Sequence, residues 1–215
     1  MDLHTHVFTF NPFQENTVLV WDTQKNTLIF DPGCYTKEEE LTLTNFIEIN
    51  ELKPVALLNT HAHIDHVLGN QFVKSKYNVP FLLGENEVST LNAVAQYAHL
   101  YGFEGYKLSP QPDQLVKDGE WLFFGDMSFQ VKFCAGHSVG HVVFYFESEQ
   151  FVVNGDVLFQ GSFGRVDLPG GDLETLKHSI HTQLFTLPDE TIVFCGHGPK
   201  TTIGKEKRYN YILQF

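Results

Sequence analysis

The sequence Asn59-Thr60-His61-Ala62-His63-Ile64-Asp65-His66 places three histidines and one aspartate within six residues. In extended chain, side chains two residues apart point the same way, so His61, His63 and Asp65 converge there. Alone, Asp65 would be an ordinary helix N-cap, and a single histidine would be an ordinary polar residue. Together, three imidazoles beside a carboxylate gain little from convergence without a cation, and they repel one another when protonated. The stretch therefore predicts a metal site.

This cluster lies on a predicted strand-to-helix loop, because the apolar run 55–58 precedes it and helix-like spacing follows at 67–73. His66 would reach the other ligands from the first helical turn. Further strands are predicted at 4–10, 17–21, 27–30, 79–83, 121–124, 128–134, 141–146, 151–154 and 191–194. Helices are predicted at 37–52, 85–99 and 172–187, with a closing helix from Pro199.

Two blocks of strands, each followed by helices, predict an α/β fold, a four-layer αββα sandwich with the two sheets face to face. The 215 residues fit one domain, 1–215, and 42% of them are hydrophobic. The segment from Tyr101 to Gly119 lacks periodicity and is predicted to be a long loop. Loops of that kind often border a site.

The charge balance bears on the kind of partner. A net charge of -12 argues against nucleic acid or an anionic membrane as the main partner, since both reward a basic surface. A small-molecule substrate is expected instead. Neither a secretory signal nor a run of eighteen apolar residues occurs, which predicts a soluble, cytoplasmic protein. Cys34, Cys134 and Cys195 are expected to be reduced and half-buried.

Later ligand-type residues stand where predicted strands end. His137 follows the strand that ends at Cys134, Asp156 follows the strand over 151–154, and His197 follows the strand over 191–194. A sandwich brings such strand ends to one edge, so these three side chains are expected to join the cluster. The remaining histidines lack this placement and are predicted to be structural or surface residues; they are His4, His6, His99, His141, His178 and His181.

At this point the chain resembles the metallo-β-lactamase superfamily, and within it the glyoxalase II-like group. The segments that carry the resemblance are 11–17, 61–66, 136–137, 155–159, 161–171, 195–199 and 198–206. The resemblance implies an αββα sandwich with two divalent metals. It assigns His61, His63 and His137 to one metal and Asp65, His66 and His197 to the other, with Asp156 between them.

The resemblance also implies a metal-dependent hydrolase that uses a hydroxide held between the two metals, with thioesters of the hydroxyacylglutathione type as substrates. Two divalent cations, two carboxylates and one hydroxide leave the centre at about +1, which would attract an anionic substrate. Zinc suits the nitrogen-rich ligand set, and iron or manganese tolerates the same mixture. Asp65 would orient the hydroxide or take its proton.

Three residues are weaker candidates for substrate binding. Arg165 would bind a substrate carboxylate or pair with Asp167 to hold the turn, and the pairing is favoured. Tyr106 and Lys107 lie in the predicted long loop, where surface residues of these types are common.

The sequence differs from that of the resembled group at two places. The chain has Cys134-Ala135-Gly136-His137-Ser138 where relatives have Thr-Pro-Gly-His-Thr, so it lacks the proline but keeps a hydroxyl. It also ends at Phe215 without the helical domain that grips glutathione, so little gain from the glutathione part of a substrate is expected. Three alternatives stay open: a mononuclear iron persulfide dioxygenase, a lactonase of the same fold, and a non-catalytic metal-binding or sensor protein.

Overall fold

Six strands form the first sheet, in the order in which they occur along the chain. The computed structural model describes residues 2–215. The strands are β1 (His4–Phe10), β2 (Glu15–Trp21), β3 (Asn26–Phe30), β4 (Lys53–Leu58), β5 (Phe81–Gly84) and β6 (Gln114–Val116). β1 to β3 pair antiparallel, whereas β3 to β6 pair in parallel because longer segments with helices connect them.

The second sheet has the order β14-β13-β10-β9-β8-β7. Its strands are β7 (Trp121–Phe124), β8 (Met127–Phe133), β9 (Val142–Phe146), β10 (Phe151–Gly155), β13 (Ile192–Cys195) and β14 (Thr201–Thr202). A small hairpin of β11 (Leu158–Phe159) and β12 (Ser162–Phe163) follows β10. β10 and β13 are the parallel pair, so their carboxyl ends lie side by side.

The α-helices within residues 2–215 are α1 (Lys37–Ile49), α2 (Ile64–Val67), α3 (Asn70–Tyr77), α4 (Val88–Tyr97), α5 (Leu173–Ser179) and α6 (Ile203–Tyr209). α1 begins with a capping box, in which Thr36 accepts from the backbone of Glu39 and Glu39 accepts in return. No helix in this part of the chain combines the length and apolar character that crossing a bilayer requires.

Three hydrophobic clusters separate four layers. Alternation along β2 sends Leu19 toward α1, α3 and α4, while Val18 and Val20 point at the second sheet. Between the sheets, Phe30 packs 5.2 Å from Phe144, ring centre to ring centre. The third cluster joins the outer face of the second sheet to α5 and α6. The predicted αββα sandwich is therefore confirmed.

Several predicted boundaries and exposures were wrong. The long loop contains β6, which adds an edge strand to the first sheet. The helix expected over 85–99 begins as a 3₁₀ turn, Glu85–Glu87, and the side chain of Glu87 is buried. The closing helix begins at Ile203 rather than Pro199, since β14 comes first. The three cysteines are buried, not half-buried, because each packs within a hydrophobic cluster.

Candidate metal centre

The residues 59–63 connect β4 to α2, as the sequence predicted. His61 is fully buried on this connection and His63 is partly exposed. Asp65 and His66 lie in the first turn of α2, and both are buried. The strand-to-helix loop therefore brings three imidazoles and one carboxylate to one end of the first sheet.

The second sheet brings the other side chains to the same place. His137 lies between β8 and β9, Asp156 directly follows β10, and His197 follows β13. Gly155 ends β10 with a φ of 52°, and a Cβ there would lie 2.3 Å from Thr60 Oγ1. Only glycine accommodates this turn without strain, so the backbone of β10 approaches the loop of the first sheet and delivers Asp156 to it.

In the described part of the chain, three groups of possible ligands result, each with its ligand atoms within 4.8 Å of one another. The first group is His61, His63 and His137, the second is Asp65, His66 and His197, and the third is Asp31 with His61 and His66. In the first group, His63 Nδ1 lies 2.8 Å from His137 Nε2. In the second, Asp65 Oδ2 lies 3.1 Å from His197 Nε2 and 3.5 Å from His66 Nε2.

Asp156 lies between the two groups. Its Oδ1 is 3.5 Å from His66 Nε2, and its Oδ2 is 3.5 Å from His197 Nε2. The same Oδ2 is 3.6 Å from His137 Nε2. One carboxylate therefore contacts imidazoles of both groups.

Three of the imidazoles are oriented by a partner on the far ring nitrogen. His137 Nδ1 donates to the carbonyl of Arg165 at 2.7 Å, and His197 Nδ1 donates to the carbonyl of Phe13 at 3.0 Å. His66 Nδ1 lies 3.2 Å from a carboxylate oxygen of Asp31. Since a carbonyl only accepts, Nδ1 of His137 and of His197 carries a proton, and Nε2 of each ring faces the centre.

Unpartnered polar atoms test whether these residues fit a metal. Among residues 2–215, His61 Nε2, His66 Nε2 and Asp156 Oδ1 are buried without a hydrogen-bond partner. Buried polar atoms normally have a partner, and a cation at this position would supply one. Imidazole nitrogens mixed with carboxylate oxygens suit zinc, and iron or manganese as well. The side chains present therefore fit a divalent metal centre.

The two groups differ in protonation. Burial lowers the pKa of His63 to about 3 and holds that of His61 well below its usual value. For His66, burial acts in the same direction, but the carboxylates of Asp65 and Asp156 outweigh it and raise the pKa well above its usual value. The first group thus presents neutral nitrogens at neutral pH, whereas a metal at the second group must displace a proton.

Asp31, which precedes Pro32-Gly33 and resembles a turn residue in the sequence, makes contacts that were not predicted. Its Oδ1 accepts from the backbone of Thr60 at 2.7 Å, and its Oδ2 accepts from Thr60 Oγ1 at 2.6 Å. Asp31 lies near enough to His61 and His66 to join them at a metal, but these bonds occupy both oxygens. It therefore orients the loop and His66. Its position at the end of β3, beside β4, was the signal that could have identified it.

His141 is structural, as predicted, but it is not a surface residue. It is fully buried and stacks on His61 with ring centres 4.6 Å apart. Its Nε2 accepts the backbone N–H of Asp156 at 3.1 Å. His141 therefore contacts two residues of the centre, His61 from the first sheet and Asp156 from the second.

The three weaker candidates have other partners. Arg165 donates to both carboxylate oxygens of Asp167 at 2.7 Å, which is the favoured structural pairing. Tyr106 shares a hydrogen bond with Ser109 at 2.9 Å. Lys107 is 3.2 Å from Glu40. Their side chains are not among the groups that gather at the centre, although the backbone of Arg165 holds His137.

Replacing both His178 and His181 with glutamine should leave metal content and turnover within about threefold of wild type, since both side chains are exposed on the segment that follows Asp172. Metal analysis and initial rates of the double variant measure this. A large loss of bound metal would mean that these histidines, and not those at the strand ends, belong to the centre.

The two-sheet sandwich carries a cluster of histidines and aspartates at its strand ends that could hold metal. The sequence profile of the Metallo-beta-lactamase superfamily matches residues 10–197. The chain belongs to the metallo-beta-lactamase superfamily.

Three similar proteins cover nearly the whole chain. The "Probable metallo-hydrolase YqgX" of Bacillus subtilis is 40% identical over 205 residues, which is 94% of this chain and 93% of that protein. The "Hydroxyacylglutathione hydrolase GloC" of Haemophilus influenzae is 36% identical over 98% of both chains. A crystal structure of TTHA1623 in a di-iron-bound form has a TM-score of 0.86 and 36% identity, over 96% of this chain and 98% of that one. Family membership and these names support a metal-dependent hydrolase.

Proposed function

We propose that the protein is a thioester hydrolase of the glyoxalase II type that works with two divalent metals. His61, His63 and His137 would hold one metal. Asp65, His66 and His197 would hold the other, with Asp156 between the two groups.

The position of Asp156 carries this proposal. Its two oxygens lie 3.5 to 3.6 Å from imidazole nitrogens of both groups. A carboxylate that faces both groups favours two cations over one, because it would offer each of them negative charge. The unpartnered Oδ1 of Asp156 gives further support, since a buried carboxylate oxygen needs a positive partner.

Divalent ions held here would lower the pKa of a bound water to about 7 and polarise the carbonyl oxygen of the substrate. Asp65 is the residue placed to orient the attacking water and to take its proton. Burial opposes ionisation of Asp65, but the neighbouring His66 and His197 outweigh it and lower the pKa of the carboxyl. The carboxylate is therefore in its basic form at neutral pH.

The name of GloC supports thioesters as the substrate class, because that protein is matched over 98% of its length. The di-iron structure of TTHA1623 supports a two-metal centre but leaves zinc and iron as competing choices for this chain. The nitrogen-rich ligand set favours zinc. A small anionic thioester suits a centre in which the metals carry more charge than the carboxylates that hold them.

Hydrolysis of lactoylglutathione, compared with the same acyl group on a small thiol, tests the proposal. Enzyme reconstituted with zinc, iron(II) or manganese is assayed at matched metal content. Zinc-dependent hydrolysis of both thioesters is expected, with kcat/KM values within about tenfold, or about 1.4 kcal/mol, of each other. A large preference for the glutathione thioester would overturn the expected ratio while leaving the hydrolase assignment intact.

The same preparations separate the alternatives. Oxygen consumption with glutathione persulfide, by an enzyme that holds one iron and leaves thioesters intact, would overturn the proposal in favour of a dioxygenase. Hydrolysis of lactones alone would indicate a lactonase. Saturated metal binding with no turnover of any of these substrates would indicate a binding or sensor protein.

A further inference from the structure

We propose that two residues outside the ligand set position the two metal groups separately. Glu87 positions His61, His63 and His137, and Asn16 positions the loop that carries His197. This inference rests on the proposed two-metal centre. Both are positioning residues, because each acts on the ligands through the backbone around them.

Glu87 joins the two loops that carry the first group. Its Oε2 accepts the backbone N–H of Ala62, which stands between His61 and His63, at 2.9 Å. Its Oε1 accepts from Ser138 Oγ at 2.5 Å and from the backbone N–H of Gly140 at 2.7 Å. The side chain is fully buried. One carboxylate therefore fixes the spacing between the 61–63 loop and the 136–140 loop.

The backbone of the second loop also lies against Glu87. A Cβ at Gly140 would be 2.6 Å from the backbone nitrogen of Glu87 and 2.5 Å from the carbonyl carbon of Asn86. Glycine is required at this close approach, and the approach lets one glutamate reach both loops. A glutamine side chain has nearly the same size as that of Glu87 and would fill the same buried space.

Asn16 holds the loop that carries His197. Its backbone N–H donates to the carbonyl of Gly196 at 2.7 Å. Its Nδ2 donates to the carbonyl of Cys195 at 3.0 Å and to that of Gly198 at 2.7 Å. The carbonyls on both sides of His197 are thereby fixed to β2.

The turn just before Asn16 reaches the second group at two more points. The carbonyl of Phe13 accepts from His197 Nδ1 at 3.0 Å. Asn11 Nδ2 donates to the carbonyl of Asp65 at 3.1 Å. Glu87 also hydrogen-bonds Thr90 of α4. Its contacts with the two loops lie at residues 62, 138 and 140, so the two sets of loop contacts share no residue. Each metal group therefore has its own anchor.

Glu87→Gln removes one contact with almost no change in size. Gly140 supplies an N–H that can only donate, and Ser138 also donates to the same oxygen, so the amide oxygen is retained there. The amide NH₂ then faces the N–H of Ala62, donor against donor. The 61–63 loop loses its fixed position, and zinc affinity of the first group should fall by about 10- to 100-fold.

Asn16→Ala leaves the carbonyls of Cys195 and Gly198 without their donor, so His197 is held less firmly. Zinc affinity of the second group should fall by a similar factor of about 10- to 100-fold, while the first group stays within about threefold of wild type. Glu87→Gln should show the opposite selectivity.

Glu85→Gln and Gln14→Asn are the matched controls, because both side chains are exposed next to the tested residues.

Equilibrium dialysis against zinc, followed by metal analysis, measures the affinities. Cadmium NMR identifies which group is lost, with His137→Ala and His197→Ala assigning the two resonances. Opposite selectivity in Glu87→Gln and Asn16→Ala supports the inference. Equal weakening of both groups in both variants would mean general structural damage and would overturn it. A wild-type protein that binds a single metal would instead refute the proposed two-metal centre.

If Glu87→Gln or Asn16→Ala fails to fold, two milder variants test the same contacts. Ser138→Ala removes only one donor to Glu87 and should weaken the first group several-fold. Thr9→Val removes the hydroxyl that donates to Asn16 Oδ1 at 3.0 Å and should weaken the second group several-fold. Unchanged zinc affinity of the first group in Ser138→Ala would count against the role of Glu87. Unchanged zinc affinity of the second group in Thr9→Val would count against the role of Asn16.

Discussion

Replacing Asp156 with alanine is expected to remove most of the metal from both groups and to lower kcat/KM for thioesters by about 10³-fold or more. Its oxygens lie 3.5 to 3.6 Å from His66, His137 and His197, so this truncation withdraws charge from both groups. Without it, two cations would face each other with less neutralisation. A loss of roughly 4 kcal/mol of transition-state stabilisation corresponds to this factor, at 1.36 kcal/mol for each tenfold.

Metal analysis and initial rates on the same preparation measure this effect, and circular dichroism checks that the variant folds. Asp156→Asn is the matched variant that keeps the size of the side chain and removes its charge. Glu190→Ala removes an exposed carboxylate and should change neither quantity. Unchanged metal content in Asp156→Ala would exclude Asp156 from the site.

The layers of the fold could be predicted from the sequence because local patterns determined them. The apolar run in β2 is typical of a strand covered on both faces, and Leu19 and its neighbours Val18 and Val20 do pack into different clusters. The strand-to-helix position of the 61–66 segment was readable for the same reason. The strand-end rule also placed His137, Asp156 and His197 correctly at one edge, since parallel β10 and β13 end together.

The residues that support the centre were not predicted, because their roles depend on contacts between distant segments. Asp31 precedes a Pro-Gly pair and looks like a turn residue, yet it binds Thr60 on the neighbouring strand end. Glu87 looks like the exposed acidic start of a helix. The 3₁₀ turn before α4 rotates it inward, where it meets two loops at once.

The charges at the centre are compatible with the proposed binding of two cations by an acidic chain. Burial opposes the charge on Asp156, but His66, His137 and His197 outweigh it and hold the pKa of its carboxyl well below the usual value. The carboxylate therefore stays ionised at neutral pH. The acidic residues elsewhere, within a net charge of -12, act through solvent and are screened over about 8 Å at physiological salt.

Replacing Asp65 with asparagine is expected to lower kcat by about 10²- to 10⁴-fold, the usual contribution of a general base. Asparagine keeps the size of the side chain and one oxygen that can bind a metal, but it cannot accept the proton of the attacking water. The carboxylate is 3.1 Å from His197 and 3.5 Å from His66, so metal affinity at the second group should fall as well. Rates are therefore measured across a zinc titration up to saturation.

Saturating metal separates the two roles of Asp65. If the variant stays slow when both groups are full, Asp65 acts on the proton as proposed. If excess zinc restores the wild-type kcat, Asp65 is a ligand only, and another group must take the proton. Asp126→Asn, the same change at an exposed carboxylate, should leave the whole titration unaltered. A pH–rate profile adds a second criterion: because the pKa of Asp65 is lowered, its ionisation governs the acid limb of kcat, and this limb should be lost in Asp65→Asn but not in Asp126→Asn.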